Sequence, residues 1–291
     1  MSTATSPRLK HVQCLDGRGL HRMAYWEWGD AHNPRVLVCV HGLSRQGRDF
    51  NTLAQDLAGT YRVVCPDVVG RGQSDWLADP QGYAIPSYVA DMVTLLARLD
   101  AEVVDWVGTS MGGLIGLGLA SLPGSPLRRL VLNDVGPSIQ WAALQRIGTY
   151  LGQPARWRTL DEAADAMAAV SQGFGPHTRE QWLALSAPQV KPDGDGLRPH
   201  YDPAIAVPFR ALTPDMAAAG EAFLWQCWDR VACPVLLLRG ADSDLLSAQT
   251  AEQMCGRGPR TQLHSFAGVG HAPTLVQPEQ RQVVRDFLLS P

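Results

Sequence analysis

Short apolar runs rich in Val and Leu alternate along this chain with longer stretches of helical spacing. The runs cover residues 12–15, 23–28, 36–40, 62–65, 103–107, 130–133, 235–238 and 262–266. The first two flank Asp16-Gly17-Arg18-Gly19, which predicts a hairpin. Between later runs, residues 50–57, 88–99 and 278–289 carry apolar positions at helical spacing; in the second, Val89, Met92, Val93, Leu96 and Leu99 form one stripe. Continuous apolar strands flanked by helices are buried on both faces, as in parallel sheets. The pattern predicts an α/β fold: a mostly parallel eight-stranded sheet with an antiparallel start and helices on both faces. Ligands bind such sheets beyond the carboxyl ends of the strands.

From residue 137 to 231 the rhythm breaks. Helical runs such as 160–170 replace the strand-helix units, with prolines and glycines between. The segment reads as a helical cap inserted after the sixth strand, leaving 1–136 and 232–291 as the core. Trp141, Trp157, Trp182, Trp225 and Trp228 all lie in it. Most are expected to fill the seam between cap and core, with one or two lining a pocket.

Composition narrows the partners. The 291 residues are 45% hydrophobic, and a net charge of −3 offers no basic field for nucleic acid. No run approaches the ~20 apolar residues that span a bilayer. Residues 1–10 are polar, lack an apolar signal core and read as a loose tail. Cys14, Cys39, Cys65, Cys227, Cys233 and Cys255 form no C-x-x-C pair, which suits reduced, mostly buried thiols in a cytoplasmic protein. No metal or nucleotide motif occurs, so neither a metal nor a cofactor is expected.

The chemistry concentrates at Gly108-Thr109-Ser110-Met111-Gly112, between the apolar run 103–107 and a small-residue segment. A strand, a sharp turn and a helix would leave the Ser110 hydroxyl exposed at a helix N-terminus, where developing negative charge is favoured. Alone, the motif also describes a turn serine capping a helix. A nucleophilic serine needs a base, and the base needs a carboxylate to hold its tautomer. His271, in the loop Gly268-Val269-Gly270-His271 after the last strand, is the candidate base among eight histidines. The acid should follow a strand between serine and histidine in the chain. Asp244, after the run 235–238 and just before Leu245-Leu246, is preferred; Asp242 reads as a turn residue, and Asp134 at the end of the sixth strand is a third candidate. The backbone N–H groups of Met111 and Leu43 are the expected oxyanion donors. His41 reads as a turn-organising residue.

Taken together, His41-Gly42, the segment Asp67-Val68-Val69-Gly70-Arg71-Gly72-Gln73-Ser74-Asp75, the Ser110 turn, the Gly240–Asp244 loop and Gly270-His271 resemble the α/β-hydrolase superfamily in its cap-bearing, esterase-like branch. The resemblance implies the α/β-hydrolase fold and a triad of Ser110, His271 and Asp244. Relatives that are dehalogenases and epoxide hydrolases carry aspartate where Ser110 stands. Carbon–carbon hydrolases usually carry tryptophan where Ala272 stands, and aminopeptidases where Met111 stands. The expectation is therefore a serine hydrolase that cleaves small carboxylic esters through an acyl-enzyme. Lactone, thioester or carbon–carbon hydrolysis on the same triad, and a non-catalytic receptor of this fold, are the alternatives. Arg45 could meet an anionic group of the substrate, although a solvated or paired arginine is the simpler reading.

Overall fold

The computed structural model describes residues 6–290. Residues 1–5 of the expected tail lie outside them, whereas Arg8–Lys10 begin the first strand. Six strands come first: β1 (Arg8–Asp16), β2 (Gly19–Trp28), β3 (Val36–Val40), β4 (Arg62–Pro66), β5 (Val104–Thr109) and β6 (Leu127–Asn133). A short hairpin, β7 (Val190–Asp193) and β8 (Gly196–Pro199), stands apart from the main sheet, which β9 (Val235–Gly240) and β10 (Thr261–Phe266) complete. The main sheet runs β1-β2-β4-β3-β5-β6-β9-β10. The β1-β2 and β2-β4 pairs are antiparallel, and every other pair is parallel.

Burial follows from position in that order. All five side chains of the central strand β3 are buried, as its unbroken apolar run requires. At the two edges, β1 alternates between buried and exposed, and β10 buries only Phe266. The helices flank the sheet in the expected places: α1 (Asn51–Leu57), α2 (Ile85–Leu99) and α3 (Met111–Ala120) lie before β6. Helix α2 starts three residues earlier than the predicted segment 88–99, because Pro86 is accommodated in a first turn. It ends at Asp100 in the left-handed conformation.

Between β6 and β9 the chain forms α4 (Trp141–Tyr150), α5 (Leu160–Val170), α6 (Arg179–Ser186), α7 (Ala206–Arg210) and α8 (Pro214–Arg230). Helices α9 (Ala248–Gly256) and α10 (Pro278–Leu289) return to the sheet. The β7–β8 hairpin inside this segment is not predicted from periodicity. Its strands are four residues each and partly exposed, so no apolar alternation marks them; the turn chemistry of Asp193-Gly194-Asp195-Gly196, with Gly194 at φ +61°, is its one local signal. No disulfide joins the described residues, and four of the six cysteines are buried.

Candidate active site

Three strand ends bring the chemistry together. Strand β5 delivers the chain into a tight turn in which Ser110 takes φ +52° and ψ −116°, a sparsely populated conformation that costs about 1–3 kcal/mol. The flanking glycines make the turn possible. A Cβ on Gly108 would lie 2.3 Å from the Gly112 carbonyl oxygen, and one on Gly112 would lie 2.0 Å from that of Val40. Trp106, fully buried, donates from Nε1 to the Gly112 carbonyl at 3.1 Å and fixes the start of α3. The Ser110 amide donates to the Asn133 carbonyl at 3.0 Å, tying the turn to the end of β6.

His271 Nε2 lies 3.0 Å from Ser110 Oγ, and its Nδ1 lies 2.7 Å from Asp134 Oδ2. With Nδ1–H donating to the carboxylate, Nε2 is left as the acceptor for the serine proton. Asp134 is fully buried at the end of β6. Its Oδ1 accepts from the Gly240 amide at 2.9 Å, and its Oδ2 also accepts from Ser243 Oγ at 2.6 Å. The histidine loop is held from two sides. Asn133 Nδ2 donates to the Pro273 carbonyl at 2.7 Å, and the Gly270 amide donates to the carbonyl of Gly173, between α5 and α6, at 2.6 Å.

The structure does not bring Asp244 to His271. Leu245 and Leu246 do anchor the loop in the core, as their apolar character demands, but this anchoring turns Asp244 outward. Its carboxylate pairs with Arg146 on α4, at 2.7 Å from Nε and 3.1 Å from Nη2. Asp242 is exposed as well. The loop's contribution to the site is Ser243, which accepts from the Leu245 and Leu246 amides and donates to Asp134. Chain order alone cannot separate the candidates, since Asp134 and Asp244 both fall between serine and histidine. The discriminating signal is adjacency: β6 sits directly beside β5, so its terminal carboxylate is the nearer one.

Leu43 and Met111 line the larger chamber with Ser110, and among the described residues neither amide has a hydrogen-bond acceptor. Buried groups shape the Leu43 loop. His41 donates from Nδ1 to the Gly42 carbonyl at 2.7 Å and accepts the Val68 amide at Nε2 at 2.9 Å. Burial drives its pKa down to about 3, so the ring is neutral. Arg71, fully buried, donates from Nε to the Leu43 carbonyl at 2.8 Å, from Nη1 to the Val69 carbonyl and Tyr88 hydroxyl, and approaches Met111 Sδ at 3.5 Å. It therefore touches both Leu43 and Met111, a role that sequence reading did not give the Asp67–Asp75 turn. Asp67, in the same turn, accepts from the Gly47 and Gln73 amides and from Trp26 Nε1; burial outweighs these bonds and raises its pKa to about 6.

Two chambers meet at the serine, with Leu43, Ser110 and Ile147 in the walls of both. One is about 400 Å³ and the other about 780 Å³. Trp157 lines the first and Trp141 the second, while Trp228 is fully buried against the Arg257 carbonyl. Arg45 reaches the first chamber but is held by Asp49 through two bonds of 2.7 Å and by the Leu185 carbonyl. Away from these elements, Cys14, His21 and Asp91 have metal-ligand spacing. His21 Nε2 and Asp91 Oδ2 lie 3.0 Å apart, and the trio reads as a buried hydrogen-bond cluster on β1, β2 and α2.

The chain resembles proteins of matching architecture along nearly its whole length. A 3-hydroxybutyrate-oligomer hydrolase of Cupriavidus necator is 56% identical over 288 residues, covering 98% of each chain. A pimeloyl-[acyl-carrier protein] methyl ester esterase of Photobacterium profundum is 30% identical over 265 residues, 87% of this chain and 94% of its own. The crystal structure of an alpha/beta hydrolase from Novosphingobium aromaticivorans superposes with a TM-score of 0.86 at 35% identity, over 98% of this chain and 99% of that one. The family model that matches residues 37–286 is that of the same group. From strand order to sequence, the chain belongs to the alpha/beta hydrolase family.

Proposed function

We propose that this chain, a hydrolase of ester bonds, cleaves short linear oligoesters of 3-hydroxybutyrate type through an acyl-enzyme on Ser110. The observation that carries the reading is the chain of short contacts from Ser110 Oγ through His271 to buried Asp134, opening on two chambers. The likeness to the Cupriavidus necator enzyme supports the substrate class.

In this reading His271 Nε2 takes the serine proton as Oγ attacks the ester carbonyl. Asp134 holds the ring in the required tautomer and stabilises the imidazolium. The Leu43 and Met111 amides receive the oxyanion. His271 then protonates the leaving alkoxide, and the acyl-enzyme is hydrolysed by a water that His271 deprotonates. Residues 137–231 act as the cap: α4, α5, α7 and α8 supply much of the chamber walls and exclude bulk water. The walls suit a methyl-bearing oligoester, since apolar side chains such as Leu114, Ile139, Leu144 and Phe209 dominate the larger chamber.

The test is hydrolysis of the linear trimer of 3-hydroxybutyrate by the purified protein, followed by chromatography of the acids released. The wild type should convert trimer to shorter acids, and Ser110→Ala should lose about 10⁵- to 10⁶-fold in kcat. An unchanged trimer beside turnover of p-nitrophenyl butyrate would reject the oligoester substrate. Ser110→Ala within tenfold of wild type on both would reject the nucleophile.

A further inference from the structure

The two chambers that meet at Ser110 differ in charge and in catalytic equipment. The smaller one carries His271, Arg45 and Arg146 in its wall and no carboxylate. The larger one has no lysine, arginine or histidine in its wall; its single carboxylate, Glu221, is hydrogen-bonded by Ser138 Oγ. Met111 lines only the larger chamber, and His271 only the smaller.

Chemistry assigns each half of an ester to one of these spaces. The leaving alkoxide must receive its proton from His271 Nε2, so the alcohol half lies on the His271 side, in the smaller chamber. The acyl half then extends past Met111 into the larger one. In a head-to-tail oligoester of a hydroxy acid, every ester bond has the free carboxylate on its alcohol side. The side where the leaving group must depart is thus also the side with the cations. Two independent observations, the position of the base and the distribution of charge, give the same polarity.

We propose that the smaller chamber is a subsite for the carboxylate terminus of the substrate, with Arg146 as the recognising group. The substrate identity rests on the oligoester reading above; the polarity rests on the chambers alone. Arg45 is the weaker candidate, because Asp49 engages it through two short bonds in a mostly buried pair and Leu185 holds the same guanidinium. Arg146 is different. Its partner Asp244 is about half exposed, so that pair is screened and weak. A guanidinium has five N–H donors; Asp244 takes two of them, and the Tyr150 hydroxyl in the same wall is a neutral partner that a carboxylate can share or displace. Helix α4 places Arg146 in the wall of the smaller chamber and the next residue, Ile147, in the walls of both.

The Ser110 Oγ–carbonyl carbon bond forms as the carbon–oxygen bond to the alcohol half breaks. The serine proton passes through His271 to that oxygen, and a short hydroxy acid leaves the arginine-bearing chamber. Water then supplies its oxygen to the acyl carbon and a proton to His271; the Ser110 Oγ–acyl carbon bond breaks, the acid leaves, and His271 returns the proton to Oγ. The enzyme trims its substrate from the carboxylate end.

Three small esters test the polarity without any oligomer: 3-(butyryloxy)butyrate, charged on the alcohol side; butyl hydrogen succinate, charged on the acyl side; and neutral butyl butyrate. The wild type should show kcat/KM about tenfold higher for the first than for the second, the size of effect expected of one charge-assisted contact. Arg146→Gln should bring that ratio within about threefold, mainly through KM, and Arg146→Lys should restore part of it. Equal or better cleavage of butyl hydrogen succinate would overturn the polarity, and an undiminished ratio in Arg146→Gln would overturn the residue. A trimer carrying ¹³C in its carboxylate-terminal unit should give labelled monomer and unlabelled dimer; labelled dimer beside unlabelled monomer would place the cut at the hydroxyl end and overturn a subsite that holds the terminal carboxylate unit. If the trimer resists while 3-(butyryloxy)butyrate is cleaved with the stated preference, the oligoester reading falls and the subsite stands.

Discussion

At the scale of single residues, the account turns on which carboxylate serves His271. Asp134 is buried and bonded to His271, Ser243 and the Gly240 amide, whereas Asp244 is solvent-facing and bonded to Arg146. Asp134→Asn keeps the shape but removes the acceptor that selects the tautomer, so kcat should fall by about 10⁴. Asp244→Asn should cost less than about tenfold on p-nitrophenyl butyrate. Steady-state kinetics of the two variants decide the matter, and the reverse pattern would return the role to Asp244. Arg71 is the second residue on which the site depends. It donates to the Leu43 carbonyl and packs against Met111, so it ties together the two residues whose amides are proposed to receive the oxyanion. Arg71→Met should lower kcat by about 10²-fold, comparable to losing one oxyanion donor, with less change in KM. A change confined to KM would instead make Arg71 a substrate contact.

At the scale of elements, the close approach of α3 to the sheet is what presents the serine. A methyl group on Gly112 would meet backbone, not a movable side chain. Gly112→Ala should therefore lower unfolding stability by about 3 kcal/mol and reduce turnover together, measured by denaturant titration beside an ester assay. Loss of neither would mean that the helix can retreat without moving Ser110. The same elements show what a sequence displays and what it hides. Strand β3 and helix α5 are legible to the residue, because one is an unbroken apolar run and the other a capped amphipathic segment. The Ser110 turn and the His271 loop are legible because glycine spacing writes their geometry directly. The β7–β8 hairpin is hidden because neither of its faces is buried. The acid is hidden for a different reason: choosing between Asp134 and Asp244 requires the lateral order of strands, which local pattern does not encode. Arg71 shares that problem, as its role exists only once the Asp67–Asp75 turn is folded against the Leu43 loop.

At the scale of the whole molecule, two buried titratable groups beside the site oppose each other in the pH dependence of stability. His41 has a pKa of about 3 in the fold against an ordinary 6.5. Between those values the unfolded chain binds a proton that the native chain refuses, so His41 makes stability rise with pH. Asp67 has a pKa of about 6 against 3.8. Between those values the native chain keeps a proton that the unfolded chain releases, so Asp67 makes stability fall with pH. Their contributions offset one another from about pH 4 to pH 6. Asp67→Asn removes one side of the balance, and the rise of unfolding free energy with pH should steepen over that range by up to about 1.4 kcal/mol per pH unit. An unchanged slope in urea titrations at pH 4, 5 and 6 would deny the opposition. All of this buried chemistry serves to hold a hydroxyl, an imidazole and a carboxylate in line where two chambers join. The most direct measurement is to quench the enzyme in acid during turnover of p-nitrophenyl butyrate and map the adduct by peptide mass spectrometry. The account predicts a butyryl group on the peptide bearing Ser110, absent in Ser110→Ala and strongly reduced in His271→Ala. A butyryl group on another residue, or turnover undiminished in Ser110→Ala, would contradict it.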